Sequence, residues 1–533
     1  MVSTFHGLEV AKRGMFTQQS AISTTGHNIA NANTPGYTRQ RVNFKQTEPY
    51  PAPAMNRPQI PGQMGTGVEA GSIERVRESF LDMQYRGENN KLGYWQSKSE
   101  ALSKMENILN EPSTNGLSAV MGQFWQSIQD LSVNPENEGA RSVVLQRGQA
   151  VADTFQYLHS SLSAVQKDIG SQVEVTAKEI NSILQQIAGL NKQIGEIEPH
   201  GYLPNDLYDE RDRLVDQLSG HLNIKIEKVV SGGNALSMAT GSYRVSLINK
   251  DGTAVELVKG GEFNQIGFAN GTDTNDDKIN DQLGGPITQF TVTDPTGTSI
   301  QSINVADFSQ GKLKALAEAH GYEEGGEVKG TYPDMLNELD KMAFTFATLF
   351  NEVHKLGFPV EGSAHTKEFF TFGTGTGHTG AAASISLNPT IEAKDILASS
   401  SQDNAGDGKN ALNLANIQNF ILSEGSIKLE GGQILDLAGL GLPIKNGTIK
   451  SFYEGVIGGL GVDAQQAARM TKNSAVLADS VEVNRQSISS VSLDEEMTNL
   501  IQFQHAYNAA ARNITVIDEM LDKIINGMGT VGR

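Results

Sequence analysis

From the N-terminus onward, apolar and polar positions fall into a helical pattern. Leu8, Ala11, Met15, Gln18, Ile22, Thr25 and Ile29 step alternately by three and four residues, the spacing that keeps one stripe of a helix against a partner. The stripe is impure, and Gly7, Gly14 and Gly26 each cost about 1 kcal/mol relative to alanine in a helix. The pattern therefore predicts a helix that is marginal alone. Gly7, Gly14 and Ala21 recur at sevens beside the stripe. That ridge is either a surface for close helix approach or accidental glycine in a frayed end, and spacing alone favours neither. The packing positions expected here are Leu8, Gly14, Met15, Ile22 and Ile29.

The helix should stop before Thr34-Pro35-Gly36-Tyr37, since proline disfavours helix in its predecessor and Pro-Gly suits the centre of a type II turn. Alternation follows, with Gln40, Val42 and Phe44 on one face and Arg39, Arg41, Asn43 and Lys45 on the other. Pro49, Pro51, Pro53, Pro58 and Pro61 then predict an extended connector from Pro49 to about Gly71. From Ser79 to Ile197 three long helices are expected, broken at Pro112 and Pro135. A fourth spans Asn205 to Leu222, with Leu207, Leu214, Val215 and Leu218 inward and the Asp, Glu and Arg residues between them solvated. Strand alternation and Gly-rich turns return from Asn223, helices at Leu313–His320 and Tyr332–Leu356, strand-like Gly and Ser-rich material after Gly357, and helix from Lys450 to Asn526.

The last helix is the most strongly encoded. Ser492 and Glu495 have capping-box spacing, Asp494 to Glu496 suit a helix N-terminus, and Gly527 follows the last periodic residue. Its seam is Phe503, Tyr507, Ala510, Ile514, Ile517, Leu521 and Ile524. Two terminal seams call for partners. Pairing them with each other is the simplest solution, and an intramolecular hairpin or a dimeric coiled coil meets the pattern equally.

The fold class that results is multidomain α+β. Terminal coiled-coil helices occupy 1–33 and 485–533, and a turn and strand connector occupies 34–76. A discontinuous helical-bundle domain takes 77–222, 311–356 and 450–484, with β-rich outer lobes inserted at 223–310 and 357–449.

Composition narrows the function. The 533 residues carry a net charge of -19, which opposes binding to nucleic acid or anionic membranes. There is no cysteine, excluding disulfides and thiolate chemistry. No Sec-type signal is readable in Met1–Gly14, and no apolar run approaches the roughly 20 residues of a membrane helix.

Chemical motifs read as decoys. Gly375, Gly377 and Gly380 satisfy GxGxxG, but the following Ala-Ala-Ala-Ser-Ile-Ser-Leu alternates like a strand, where a dinucleotide site needs a helix. Asp273, Asn275 and Asp277 resemble the start of a calcium loop, yet Lys278 replaces the turn glycine and Gly284 the closing Glu. No catalytic residue, cofactor or metal is expected. His27 and His505 belong to the end motifs as packing residues.

Thr25-Gly-His-Asn28-Ile-Ala-Asn31-Ala-Asn33-Thr34-Pro35-Gly36-Tyr37-Thr-Arg39-Gln40 resembles the N-terminal signature of flagellar rod, hook and hook-associated proteins, and Leu500-Ile-Gln-Phe503-Gln-His-Ala-Tyr507-Asn-Ala-Ala-Ala-Arg512 resembles their C-terminal one. Phe124-Trp-Gln-Ser-Ile-Gln-Asp-Leu131 with Ala140-Arg141, and Asn205-Asp-Leu-Tyr-Asp209-Glu-Arg211-Asp-Arg-Leu-Val-Asp-Gln-Leu218, narrow it to the hook-associated branch. The resemblance implies a structural protein of the axial tube, outside the cell at the junction of hook and filament and exported without a cleaved signal. Its implied partners are further copies of itself, the hook protein, the next hook-associated junction protein and an export chaperone on the C-terminal helix. Asn28, Asn31, Asn33, Pro35, Gly36, Tyr37, Arg39 and Gln40 would form the assembly and export motif. The alternatives are a hook or distal rod protein, or a secreted adhesin using the β-rich lobes. Free chains are expected to keep both ends mobile until neighbouring copies bury the seams.

Overall fold

The computed structural model describes residues 4–51, 53–56, 62–111, 113, 116–273, 280–359, 367–373, 377–402, 404 and 406–527. Pro58, Pro61, Pro112, Asn275, Asp277, Lys278 and Gly375 lie outside the described residues. The helices run α1 (Thr4–Ala30), α2 (Ser79–Leu109), α3 (Leu117–Val133), α4 (Glu138–Ile197), α5 (Asn205–His221), α6 (Lys312–His320), α7 (Thr331–Lys355), α8 (Ala381–Ser384), α9 (Lys409–Asn416), α10 (Ile449–Ser489) and α11 (Leu493–Gly527). The chain divides into two compact units, Met1–Asn90 with Ile180–Gln265 and Ser474–Arg533, and Lys91–Glu179 with Ile266–Asn473.

In the first unit α1 lies along α11. Strands β1 (Gln40–Gln46) and β2 (Val68–Arg75) form an antiparallel ribbon that pairs Gln40 with Arg75 and Gln46 with Val68, so the extended connector stops short of the Gly71 limit predicted for it. A four-stranded sheet follows in the order β3 (Ile224–Val229), β4 (Ser242–Ile248), β5 (Ala254–Lys259), β6 (Glu262–Phe263). Every second residue of β4 is buried, Tyr243, Val245 and Leu247 among them, as a half-buried strand requires. The buried Asn191 amide fixes the sheet to the end of α4, donating to the carbonyls of Tyr243 and Gly260 at 2.9 and 3.0 Å.

The charged residues of α5 correct the sequence expectation. Asp209, Arg211, Asp212 and Asp216 are buried rather than solvated. Periodicity along one helix cannot register cations supplied from elsewhere in the chain, and here there are several. Arg75 bridges Asp209 and Asp212 at 2.8 and 2.9 Å, Arg86 meets Asp216 at 2.7 Å, and Arg485 meets Asp216 at 2.6 Å. Arg77 closes on Asp82 at 2.7 Å. Burial alone would raise the Asp212 carboxyl, but Arg77, Arg75, Arg86 and Arg211 outweigh it and hold that group well below the usual carboxylate range. Arg211 stacks 3.5 Å from the ring centre of Tyr243.

The second unit is built on rings. Phe124 and Trp125 of α3, Phe155 of α4, Phe346 and Phe350 of α7, and Phe369 and Phe370 form one buried cluster, with the Phe350 and Phe369 centroids 4.7 Å apart. Gly148 makes room for it, since a Cβ there would stand 2.7 Å from the Phe369 ring. Arg141 is buried and donates to the carbonyls of Pro135, Ala393 and Ile396 at 2.6, 3.1 and 2.8 Å. A three-stranded sheet joins 265–268, 290–293 and 299–303.

Two further expectations change here. The described part of 357–449 carries two two-stranded ribbons together with α8 and α9, because its small Gly, Ala and Ser residues suit tight helical turns as well as strands. Residues 381–384 are the one-turn helix α8, not strand, and its first amides are already taken. Asp340 accepts from the Gly380 and Ala382 N–H groups at 2.7 and 2.9 Å.

Candidate assembly site at the chain ends

α1 and α11 run antiparallel. A Cβ on Gly7 would meet Ile517 Cδ1 at 3.3 Å, and one on Gly14 would meet Ala510 Cβ at 4.0 Å. On α1, Gly7, Gly14 and Asn28 face α11, and Thr17, Ala21 and Thr24 are buried. Leu8, Met15, Ile22 and Ile29 are half-buried beside them. On α11, Phe503, Tyr507, Ala510, Ile514, Ile517 and Leu521 are half-buried and Ile524 is exposed. The ends, expected to stay mobile in the free chain, are thus paired with each other within one chain, the simplest of the arrangements the two seams allow. Small residues let the backbones approach closely, and the β-ribbon braces both helices: Thr17 Oγ1 of α1 donates to the Val68 carbonyl of β2 at 3.1 Å, and Phe44 of β1 meets Phe503 of α11 edge to face at 5.9 Å.

At the base of the pair the end motif ties a closed knot. Asn28 Nδ2 donates to the Gln40 carbonyl at 2.8 Å and to Glu496 Oε2 at 3.0 Å. Its Oδ1 accepts from Gln40 N–H at 3.0 Å and from the Tyr37 hydroxyl at 2.8 Å. Arg39 Nε donates to Glu496 Oε1 at 2.8 Å and its Nη1 to Glu495 at 2.6 Å, while the Arg39 amide donates to the Ser489 carbonyl at 2.9 Å. Burial, then the carboxylates of Asp206, Asp209 and Glu496, push the Tyr37 phenol above its ordinary value, so it remains a donor. Gly36 at φ +83° completes the turn, closed by Tyr37 N–H on the Thr34 carbonyl at 3.2 Å.

Of the motif residues named from sequence, the structure gathers Asn28, Tyr37, Arg39 and Gln40 in this knot. Asn31 donates to the His27 carbonyl at 3.1 Å, and Asn33, Pro35 and Gly36 lie exposed on the turn. Ser492 Oγ accepts from the Glu495 amide at 3.5 Å, but the Glu495 carboxylate goes to Arg39.

The outer faces are apolar and open. Met497, Ile501, Val516, Met520 and Ile524 on α11 are about half exposed, as are Phe5 and Phe16 on α1. Among the described residues no helix is long and apolar enough to cross a membrane.

Comparison with known proteins agrees with both ends and the middle. Residues 102–370 match the flagellar hook-associated protein FlgK helical domain, 484–527 the flagellar basal body rod FlgEFG protein C-terminal model, and 8–38 the flagella basal body rod protein model. The flagellar hook-associated protein 1 of Bacillus subtilis (strain 168) is 43% identical over the full length of both chains. The chain belongs to the flagellar hook-associated protein 1 family. The Salmonella typhimurium member is 23% identical over 97% of this chain and 98% of its own. The flagellar hook junction protein FlgK from Burkholderia pseudomallei shares the fold at a TM-score of 0.57 and 15% identity, over 77% of this chain and 100% of that one.

Within this hook-associated chain the sequence reading missed Glu496, which is 2% exposed. A signal existed. Counting seven back from Phe503 lands on Glu496, and seven on from Ala21 lands on Asn28, so each is a polar residue on a stripe that buries its neighbours.

Proposed function

We propose that the α1–α11 pair is the axial element of this chain and that its open apolar faces are covered by the same helices of neighbouring copies. The chain is a structural component of the bacterial flagellum and works where hook joins filament; its family is one of structural proteins. The observation that supports the axial reading is that Met497, Ile501 and Met520 stay 53 to 56% exposed although α1 already covers another side of α11. Large apolar side chains left open along a helix that already has a partner are what a further interface would cover. A head-to-tail contact that does not close on itself stacks subunits helically.

The finer assignments follow from this reading. The partners are further copies of the chain, the hook protein on one side and the next hook-associated junction protein on the other. Before export a cytoplasmic chaperone covers the α11 stripe, and the chain leaves through the flagellar channel without a cleaved signal peptide. The motif of Asn28, Asn31, Asn33, Pro35, Gly36, Tyr37, Arg39 and Gln40 holds the two axial helices together, and no catalysis is involved. Deleting the gene tests the whole. Intact hooks without filaments, with flagellin released into the medium, are expected; normal filaments with weakened surface attachment would point to an adhesin and reject the junction role.

A further inference from the structure

The face that α1 presents to α11 has little relief. Gly7 and Gly14 offer no knobs to Ile517 and Ala510, and Ala21, seven residues on, offers only a methyl. Such a surface brings two helices close but does little to fix how far along each other they lie. The pairing nonetheless keeps one register. Gly7 faces Ile517, Gly14 faces Ala510 and Asn28 pairs with Glu496. Seven residues along α1 match seven back along α11, and the next fourteen match fourteen.

We propose that Glu496 sets this register as a positioning residue, an inference that rests on the axial reading of the paired ends. A slip of one turn moves the helices by about 5.4 Å, which the glycine face tolerates and the knot does not. Both oxygens of the Glu496 carboxylate are used, one by Asn28 and one by Arg39. The Asn28 amide is equally committed, to Gln40, Tyr37 and Glu496. After a slip the buried carboxylate would lose both donors, a large penalty for a charged group removed from water. A buried polar residue in an otherwise apolar helix pair is a known way to specify alignment.

The absence of cysteine allows a direct test. A side chain at Gly14 would place its Cβ 4.0 Å from that of Ala510, inside the disulfide range of about 3.5–4.5 Å. Full-length monomer carrying Gly14→Cys with Ala510→Cys is oxidised beside two slipped pairs, Gly14→Cys with Ala506→Cys and Gly14→Cys with Ile514→Cys. The first should close within the chain at least about tenfold in excess of the others, and Glu496→Ala should cut that excess to about twofold. Glu496→Gln alone should also lose it, because one of its two donors then faces an amide N–H. If Glu496→Ala loses helicity by circular dichroism, Glu496→Gln carries the comparison. Unchanged preference for position 510 in Glu496→Ala and Glu496→Gln overturns the proposal. Swarming of the same Glu496 variants without cysteines reads assembly separately: a lost register with normal swarming counts against the axial reading and leaves the register assignment standing.

Discussion

Phe350 and Met520 are both large apolar side chains on long helices, yet one is 1% exposed and the other 55%. Phe350 belongs to a ring cluster that the chain completes by itself, with Gly148 cleared for Phe369 and Arg141 clamping the 393–396 turn by its carbonyls. Met520 belongs to a helix pair in which α1 brings glycine and polar residues to the apolar seam of α11, and it lies outside that seam. The first region buries its bulky residues within itself. The second leaves several of them open to solvent and adds a hydrogen-bonded knot to the packing of its seam. Size and hydropathy alone do not separate the two roles; what lies opposite each residue does.

The largest effect should come from opening the closed region. Phe350→Ala leaves a cavity among the rings and is expected to lower stability by about 4 kcal/mol, read by denaturant unfolding; a loss no greater than about 1 kcal/mol would mean the cluster is loosely packed. Next comes Asp212→Asn, which strips the buried arginines of a shared anion and should cost about 3 kcal/mol at neutral pH. Because the folded Asp212 carboxyl lies below its unfolded value of 3.8, its contribution is present above about pH 4 and is lost as pH falls below that. Asp209, raised first by burial, acts in the opposite sense. The variant should therefore lose part of the acid sensitivity expected of wild type, and an identical pH profile would show that the cluster does not govern it. The smallest stability effect belongs to the open region: Met520→Glu should leave the free chain within about 0.5 kcal/mol of wild type and abolish filament growth. A marked drop in stability would mean this face is already covered within the chain.

Much of the helical frame was legible. The alternating seam of α11 marked the side that meets α1, because a long regular helix leaves its period in the sequence. The inner face of α1 was less so. The ridge of Gly7, Gly14 and Ala21 was marked, with Gly14 among the packing positions, but spacing did not decide between close approach and a frayed end, and the apolar Leu8, Met15, Ile22 and Ile29 competed with it from nearby positions. Asp209, Asp212 and Asp216 read as a solvated face because the arginines that pay for their burial come from Arg75, Arg86 and Arg485, far off in sequence. Phe369 and Phe370 follow no period at all, and Glu496 was masked by two neighbouring acids that favour a helix start equally well.

Asn28 and Glu496 are separated by 468 positions along the chain. A polypeptide threaded end first through a narrow conduit cannot join them until nearly all of it has come through, whichever end leads. On the proposed export route the knot would therefore be among the last long-range contacts to form, and its closure would mark delivery of the whole chain: only a fully emerged molecule could bring the two helices into alignment.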